Sequence, residues 1–223
     1  MAAGDYFALL LADGRLPTGA HTQSAGVEPA LIRGMRVDRV PDYLVARLRT
    51  VTEVEAAAAV VARRRWLGEP TDRPAAMAEV DRAWRIRTVS AAMREASDLL
   101  GRSYLRTAGA VWDLKALSAA PAGWCRAVVM GATAAEAGLE APALARVLAF
   151  EDVQTVIAAA LKLEPFDPVR AVAWAAEAAP EVEALVQRVA GAVTVGQIPA
   201  WSAPMIEEWA EAHRRAERRL FRA

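Results

Sequence analysis

Apolar residues recur at three- and four-residue steps through most of this 223-residue chain, which is the spacing of one face of an α-helix. Pro and Gly residues separate these segments, and both residue types end helices. The longest predicted helices cover residues 38–67, 73–88, 124–139 and 143–163. We therefore predict an all-α fold, a single-domain helical bundle of about eight to ten helices that spans residues 1–223.

Residues 9–28 are the least helical part of the sequence. Three leucines are followed by residues such as Pro17 and Gly19. These residues form turns, because Pro fixes φ and Gly allows positive φ. This pattern predicts a short helix, an irregular loop over residues 13–24, and a second helix. We expect the Ser24 hydroxyl to cap that second helix and Glu28 to lie near its positive end.

The overall composition is that of a folded protein with no charge bias. Hydrophobic residues make up 55% and charged residues 24%, and 27 basic residues balance 27 acidic ones, so nothing indicates a nucleic-acid or acidic-membrane partner. Cys125 is the sole cysteine and cannot form an internal disulfide. The start of the chain lacks signal-peptide features and no apolar run is long enough to span a bilayer. We expect a cytoplasmic protein with protein partners.

No pattern in the sequence indicates catalysis or a resident metal. His21, His213 and Cys125 are far apart, and the motifs typical of phosphate, dinucleotide and nucleophile sites are missing from the sequence. Glu151 and Asp152 interrupt an apolar helix, and we interpret them as an exposed turn of that helix. We predict no catalytic residue, no metal ligand and no cofactor.

The N-terminal loop carries the first of several motifs that point to a known family. Residues 16–28 read LPTGAHTQSAGVE, which resembles the L-P-T-G-G-F-x-H-S-x-G-L-E signature of the urease accessory protein UreF family. Gln23 stands where that signature has His. The positions that fit include Pro17, Gly19, Ser24, Gly26 and Glu28.

Four further blocks resemble the same family in the same order. Residues 94–105 resemble R-x-x-S-x-x-x-G-R-x-L-L, and residues 126–139 resemble H-P-V-V-x-G-x-x-A-A-x-x-G-L with Arg126 at the His. Residues 159–168 resemble A-A-V-[RK]-L-x-P-L-G-Q with Asp167 at the Gly, and the C-terminus resembles H-E-x-x-x-x-R-L-F-x-S. The matching positions are Arg94, Ser97, Gly101, Arg102, Gly131, Gly138, Lys162, His213, Arg219, Leu220 and Phe221.

The resemblance implies a non-enzymatic scaffold for urease maturation. Proteins of this family are all-helical and dimeric, and they bind the accessory protein UreD, also called UreH. Through that complex they bind the GTPase UreG, which delivers nickel to apo-urease. Nickel and GTP would then reside on the partner proteins. The loop 13–24 and a helical tail over residues 202–223 are the candidate contact regions, with Ser24, Glu28, Lys162, His213, Arg219, Leu220 and Phe221 as candidate partner-binding residues.

Two other functions remain open from the sequence alone. An all-helical dimeric ligand-binding transcriptional regulator has a similar size and composition, but it needs a helix-turn-helix with a basic recognition helix. The N-terminal arginines are spread thinly instead. An enzyme with a helical acid-base site would need Glu151 and Asp152 in a cleft, and would be excluded if both lay on an exposed face.

Overall fold

The computed structural model of the chain describes residues 3–118, 123–216 and 220–221. Within these ranges the regular secondary structure is entirely helical, which confirms the predicted all-α fold. None of the helices in this part of the chain is long and apolar enough to cross a bilayer. The α-helices are α1 (Ala3–Leu11), α2 (Val27–Ile32), α3 (Val40–Leu48), α4 (Val51–Trp66), α5 (Arg73–Arg87), α6 (Ala91–Ala108), α7 (Arg126–Glu136), α8 (Ala141–Leu163), α9 (Pro168–Glu177), α10 (Ala179–Val189) and α11 (Pro204–Arg214).

Helices α4 and α7 form the centre of the bundle. The seven residues from Ala56 to Ala62 are all buried, as are Arg126 to Ala134 in α7. The small side chains allow the two helix backbones to approach closely. A Cβ atom on Gly131 would lie only 2.6 Å from the Cβ of Ala62. The two helices therefore pack with almost no space between them at Gly131.

The single helix predicted over residues 38–67 is wrong, because the chain forms two helices there. α3 ends at Leu48 and α4 begins at Val51, with Thr50 in a non-helical conformation. The Thr50 hydroxyl donates a hydrogen bond to the Ala46 carbonyl oxygen at 2.6 Å. Apolar periodicity does not reveal this break, because both helices bury their apolar faces in the same core. The extra helix brings the count in the described residues to eleven, close to the predicted eight to ten.

Helices α6 and α7 meet at the two small residues that the sequence places on one face of α6. The buried Ser97 hydroxyl accepts a hydrogen bond from the Arg126 backbone N–H at 3.0 Å. Gly101 packs directly against the Trp124 carbonyl group and leaves no room for a Cβ atom. The two helices therefore approach closely at Ser97 and Gly101.

The predicted Ser24 cap is wrong. The residue that precedes α2 is Gly26, which has a φ of 81°, and it makes no side-chain cap. The backbone carbonyl of Ser24, and not its hydroxyl, accepts from the Val27 N–H at 3.0 Å. A glycine was needed because a Cβ atom at this position would lie 2.7 Å from the Tyr43 hydroxyl. At the other end of the chain α11 stops at Arg214, and Leu220 and Phe221 are not helical.

Candidate partner-binding site

Glu28, in the first turn of α2, holds the C-terminal end of the chain. Its Oε1 accepts a hydrogen bond from the Leu220 backbone N–H at 2.6 Å, and its Oε2 accepts one from the Phe221 N–H at 2.9 Å. Glu28 is only 3% exposed, and a buried carboxylate requires such donors to offset its lost hydration. These hydrogen bonds join α2 to the segment that contains Leu220 and Phe221.

His213 and Lys162 complete this arrangement, which we call the C-terminal clasp (Glu28, Lys162, His213, Leu220 and Phe221). His213 Nε2 lies 3.0 Å from the Phe221 carbonyl oxygen and 3.4 Å from Glu28 Oε2. A carbonyl oxygen only accepts, so this contact requires a proton on Nε2. The Lys162 ammonium lies 4.9 Å from the centroid of the Phe221 ring, within the range of a cation–π interaction.

Burial divides the candidate partner-binding residues into two groups. Glu28, His213 and Phe221 are buried, and so is Ser24, whose hydroxyl has no hydrogen-bond partner among the described residues. Lys162 is exposed and Leu220 is 56% exposed. The exposed pair can meet another protein in the conformation seen here, whereas the buried residues hold the tail in place. Arg219, also a candidate, lies outside the described residues.

A cavity of about 110 Å³ lies between the 23–26 segment, α4, α6, α8 and α11. Such a volume can hold several water molecules. Gln23 and Arg126 both line it, although they are about a hundred positions apart in sequence. At these two positions the family signatures have a His that this chain lacks, so both of these replacements fall on one cavity.

Arg47 and Asp152 form a buried ion pair on the wall of the cavity. Arg47 Nη2 lies 2.5 Å from Asp152 Oδ1, and Arg47 Nε donates to Oδ2 at 2.9 Å. Thr52 donates a further hydrogen bond to Oδ2 at 2.7 Å. Burial by itself would raise the pKa of Asp152, but the charge and hydrogen bonds of Arg47 lower it below the ordinary value. The pair joins α3, α4 and α8.

A second buried ion pair joins α7 to α4. Arg126 Nε and Nη2 donate to the two carboxylate oxygens of Glu55 at 2.9 and 2.8 Å. This bidentate geometry is the strong form of the arginine–carboxylate interaction. The Glu55 charge raises the pKa of Arg126 although burial acts in the opposite direction. The positive charge of Arg126 is therefore paired within the chain.

The prediction that Glu151 and Asp152 form an exposed turn is wrong, because both carboxylates point into the bundle. The Tyr104 hydroxyl donates to Glu151 Oε1, while Oε2 has no partner in the described part of the chain. Burial raises the pKa of Glu151 to about 7, although the nearby Arg126 charge opposes the shift. The interior is charged at this point, since α4, α7 and α8 each supply one member of a buried ion pair.

Comparison with known proteins identifies the family. The family model described as UreF matches residues 36–179, which is more than half of the 223 residues. The chain belongs to the UreF family. It is 34% identical over 218 residues to the urease accessory protein UreF of Mycobacterium marinum. It is 34% identical over 221 residues to the protein of the same name from Mycolicibacterium vanbaalenii, and 30% identical over 222 residues to that of Mycobacterium tuberculosis. Each alignment covers 96% of both chains.

Several of the UreF motif positions make contacts within the chain or adopt special backbone conformations. The Pro17 carbonyl accepts from Thr107 Oγ1 at 3.3 Å and ties the N-terminal loop to α6. Arg94 Nη1 donates to the carbonyl oxygens of Thr88 and Val89 at 2.6 and 2.7 Å. Gly19 and Gly138 have φ values of 79° and 70°, which non-glycine residues adopt at a cost. Arg102 is an exception because it is exposed.

Sequence reasoning missed the charged interior of this UreF-family protein. Arg47 falls on the apolar stripe of α3, and Asp152 falls within the apolar run of α8. A charged residue at a core position of each of two helices signals a buried pair, since an unpaired buried charge is very costly. Within the described ranges no three His, Cys, Asp or Glu side chains group as a metal site would require.

Proposed function

We propose that this protein is a non-enzymatic scaffold for urease maturation. It binds UreD/UreH, recruits or regulates the GTPase UreG, and so supports nickel delivery to apo-urease in the cytoplasm as a homodimer. Nickel is the cargo of this assembly, and GTP belongs to the partner. The observation that carries the proposal is similarity over 96% of the chain to proteins named urease accessory protein UreF.

The exposed part of the C-terminal clasp is the proposed contact surface. Lys162 and Leu220 lie at the surface where the two ends of the chain meet. The buried Glu28 and His213 fix the position of the tail beneath them. A preorganised surface loses less conformational freedom when a partner binds. The clasp therefore suits a protein whose role is to present a defined surface.

The charged interior supports a structural role for Asp152 and Glu55. Both oxygens of each carboxylate are engaged by arginine donors, which leaves these two carboxylates without a free basic site for proton abstraction. Glu151 differs, because its Oε1 accepts from the Tyr104 hydroxyl while its buried Oε2 has no partner among the described residues, so the exposed-face condition that would exclude an acid-base site is not met. A DNA-binding role is also poorly supported, because α1 and α2 contain no basic residue and a recognition helix contacts DNA through basic side chains.

Co-expression with UreD and UreG of the same organism, followed by affinity capture and size exclusion, tests the proposal. The expected result is a stoichiometric complex. The variant Lys162→Glu/Leu220→Asp changes the exposed clasp and is expected to weaken capture by at least about tenfold, because it reverses one charge and replaces apolar contact surface with a carboxylate that must be desolvated. Arg64→Glu/Leu67→Asp makes the same chemical change at the exposed end of α4 and should assemble normally.

Circular dichroism of each variant separates loss of binding from loss of fold. A folded wild-type protein that captures neither partner would refute the scaffold role. Equal weakening by the clasp variant and the α4 variant would refute the clasp as the contact surface while leaving the scaffold role intact.

A further inference from the structure

A second surface feature lies beside α6, and none of the C-terminal clasp residues lines it. It is a groove of about 780 Å³ between the second half of α6 and the segment that follows it. Leu105 and Trp112 contribute apolar surface, and Arg102, Arg106 and Lys115 contribute positive charge. We call this feature the basic groove.

The basic groove carries excess positive charge. Three cations line it, and Asp113 is the one carboxylate in the described lining. Asp113 lies 3.8 Å from the Lys115 ammonium, and the Lys115 side chain is 91% exposed, so this ion pair is weak. Arg102 and Arg106 are exposed as well. In a protein whose formal net charge is zero, such a local excess favours an acidic ligand.

Aromatic and aliphatic side chains extend the groove toward α1. The Trp112 ring packs edge-on against Phe7, with ring centroids 5.4 Å apart and an interplanar angle of 77°. Val111 beside Trp112 is 64% exposed. The packing against Phe7 fixes the Trp112 ring in place, so the apolar surface is preformed. Arginine together with a fixed tryptophan is the composition typical of protein interfaces.

We propose that the basic groove binds an acidic segment of a partner protein, one that places an apolar side chain against Trp112 and carboxylates against Arg106 and Lys115. Charge complementarity selects the acidic segment, and the apolar floor selects a protein over a nucleic acid, whose phosphates would need only the cations. The inference rests on the proposed scaffold role, because a protein that holds two partners needs a surface besides the clasp.

The direct test measures fluorescence anisotropy of a labelled peptide in which Glu alternates with Leu around one Trp. Arg106→Glu/Lys115→Glu is expected to weaken binding by about tenfold or more, since each reversal replaces attraction with repulsion. Arg64→Glu/Arg82→Glu applies the same change of net charge at exposed positions of α4 and α5 and should bind as the wild type does. Val111→Asp removes apolar surface at the edge of the groove and should also weaken binding.

Three results of the binding assay would overturn the inference. These are equal weakening by the α4/α5 control, equal binding of a peptide with Gln in place of Glu, and preferential binding of a single-stranded oligonucleotide of the same charge. The same variants in the co-expression assay separate this inference from the scaffold proposal. If the groove variant assembles with UreD and UreG as well as the wild type, the groove proposal is refuted and the scaffold proposal is retained. If the wild type captures neither partner yet binds the acidic peptide through the groove, the scaffold proposal is refuted and the groove proposal is retained.

Discussion

Removal of the Asp152 carboxylate should destabilise this protein severely. Asp152→Ala leaves the Arg47 guanidinium buried with the Ala25 carbonyl oxygen, 2.9 Å from Nη1, as its remaining hydrogen-bond partner among the described residues. It also removes the acceptor of the Thr52 hydroxyl. Breaking a buried ion pair from one side costs about 3–5 kcal/mol, a large fraction of the roughly 5–15 kcal/mol that stabilises a typical domain.

The matched comparison replaces all three polar groups together. Arg47→Met/Thr52→Val/Asp152→Leu removes both charges and the hydroxyl, so no buried polar group of this set is left without a partner. Asp152 lines the cavity of about 110 Å³, which gives the larger Leu side chain space. The Ala25 carbonyl keeps its hydrogen bond from the Tyr43 hydroxyl at 2.6 Å. The triple variant should therefore recover most of the free energy that the single variant loses.

Urea unfolding followed by circular dichroism measures both effects, with an unchanged m value confirming that the same surface is exposed on unfolding. The reasoning fails if Asp152→Ala costs less than about 1 kcal/mol, because Arg47 would then have to be hydrated through the cavity. It fails equally if the triple variant is as unstable as the single one, since the loss would then come from shape and not from an unpaired charge.

Three further predictions concern other buried contacts. Gly101→Ala should lower the free energy of unfolding by about 1–3 kcal/mol, because the added Cβ meets backbone, while Gly191→Ala, with open space around it, should be neutral in the same urea titration. The raised pKa of Glu151 means that its stabilising contribution, roughly 3 kcal/mol, is complete below pH 4.5 and is lost as the pH rises through about 7. Glu151→Gln should flatten that part of the stability–pH curve, and an unchanged slope would contradict the assignment. Arg126→His restores the family residue but leaves Glu55 without its bidentate donor, so it should cost about 3 kcal/mol or more and be partly rescued by Glu55→Gln.

Helix positions followed well from the sequence because they depend on local rules. Pro168 stands at the first position of α9, where its fixed φ suits a helix, and the break near Gly68 and Pro70 separates α4 from α5. The interruption at Thr50 was not predictable from periodicity, because the apolar faces of α3 and α4 continue in phase toward one core. Its reason is tertiary. Arg47 lies in the last turn of α3 and Thr52 in the first turn of α4, so that both reach Asp152.

The site was only partly predictable, because its contacts are also tertiary. Family motifs selected Glu28, His213 and Phe221 individually, yet no local pattern shows that Glu28 receives the N–H of a residue 193 positions away. The inward orientation of Glu151 and Asp152 was missed because a charged residue is assigned to the solvent side by default. Only the folded structure shows which groups these carboxylates meet, namely the Tyr104 hydroxyl for Glu151 and the Arg47 guanidinium for Asp152.

The departures from the family signatures are each accommodated within the chain. Asp167 accepts a hydrogen bond from the Val169 N–H at 2.9 Å and caps α9. Arg126 is neutralised by Glu55, and Gln23 is buried at the edge of the same cavity. A change that had merely been tolerated would leave an unpaired charge or an uncapped helix, whereas Arg126 and Asp167 each have a specific partner. Arg126 therefore changes how the interior is held together, and Asp167 changes how α9 begins, while the exposed clasp residues Lys162 and Leu220 match the family signatures.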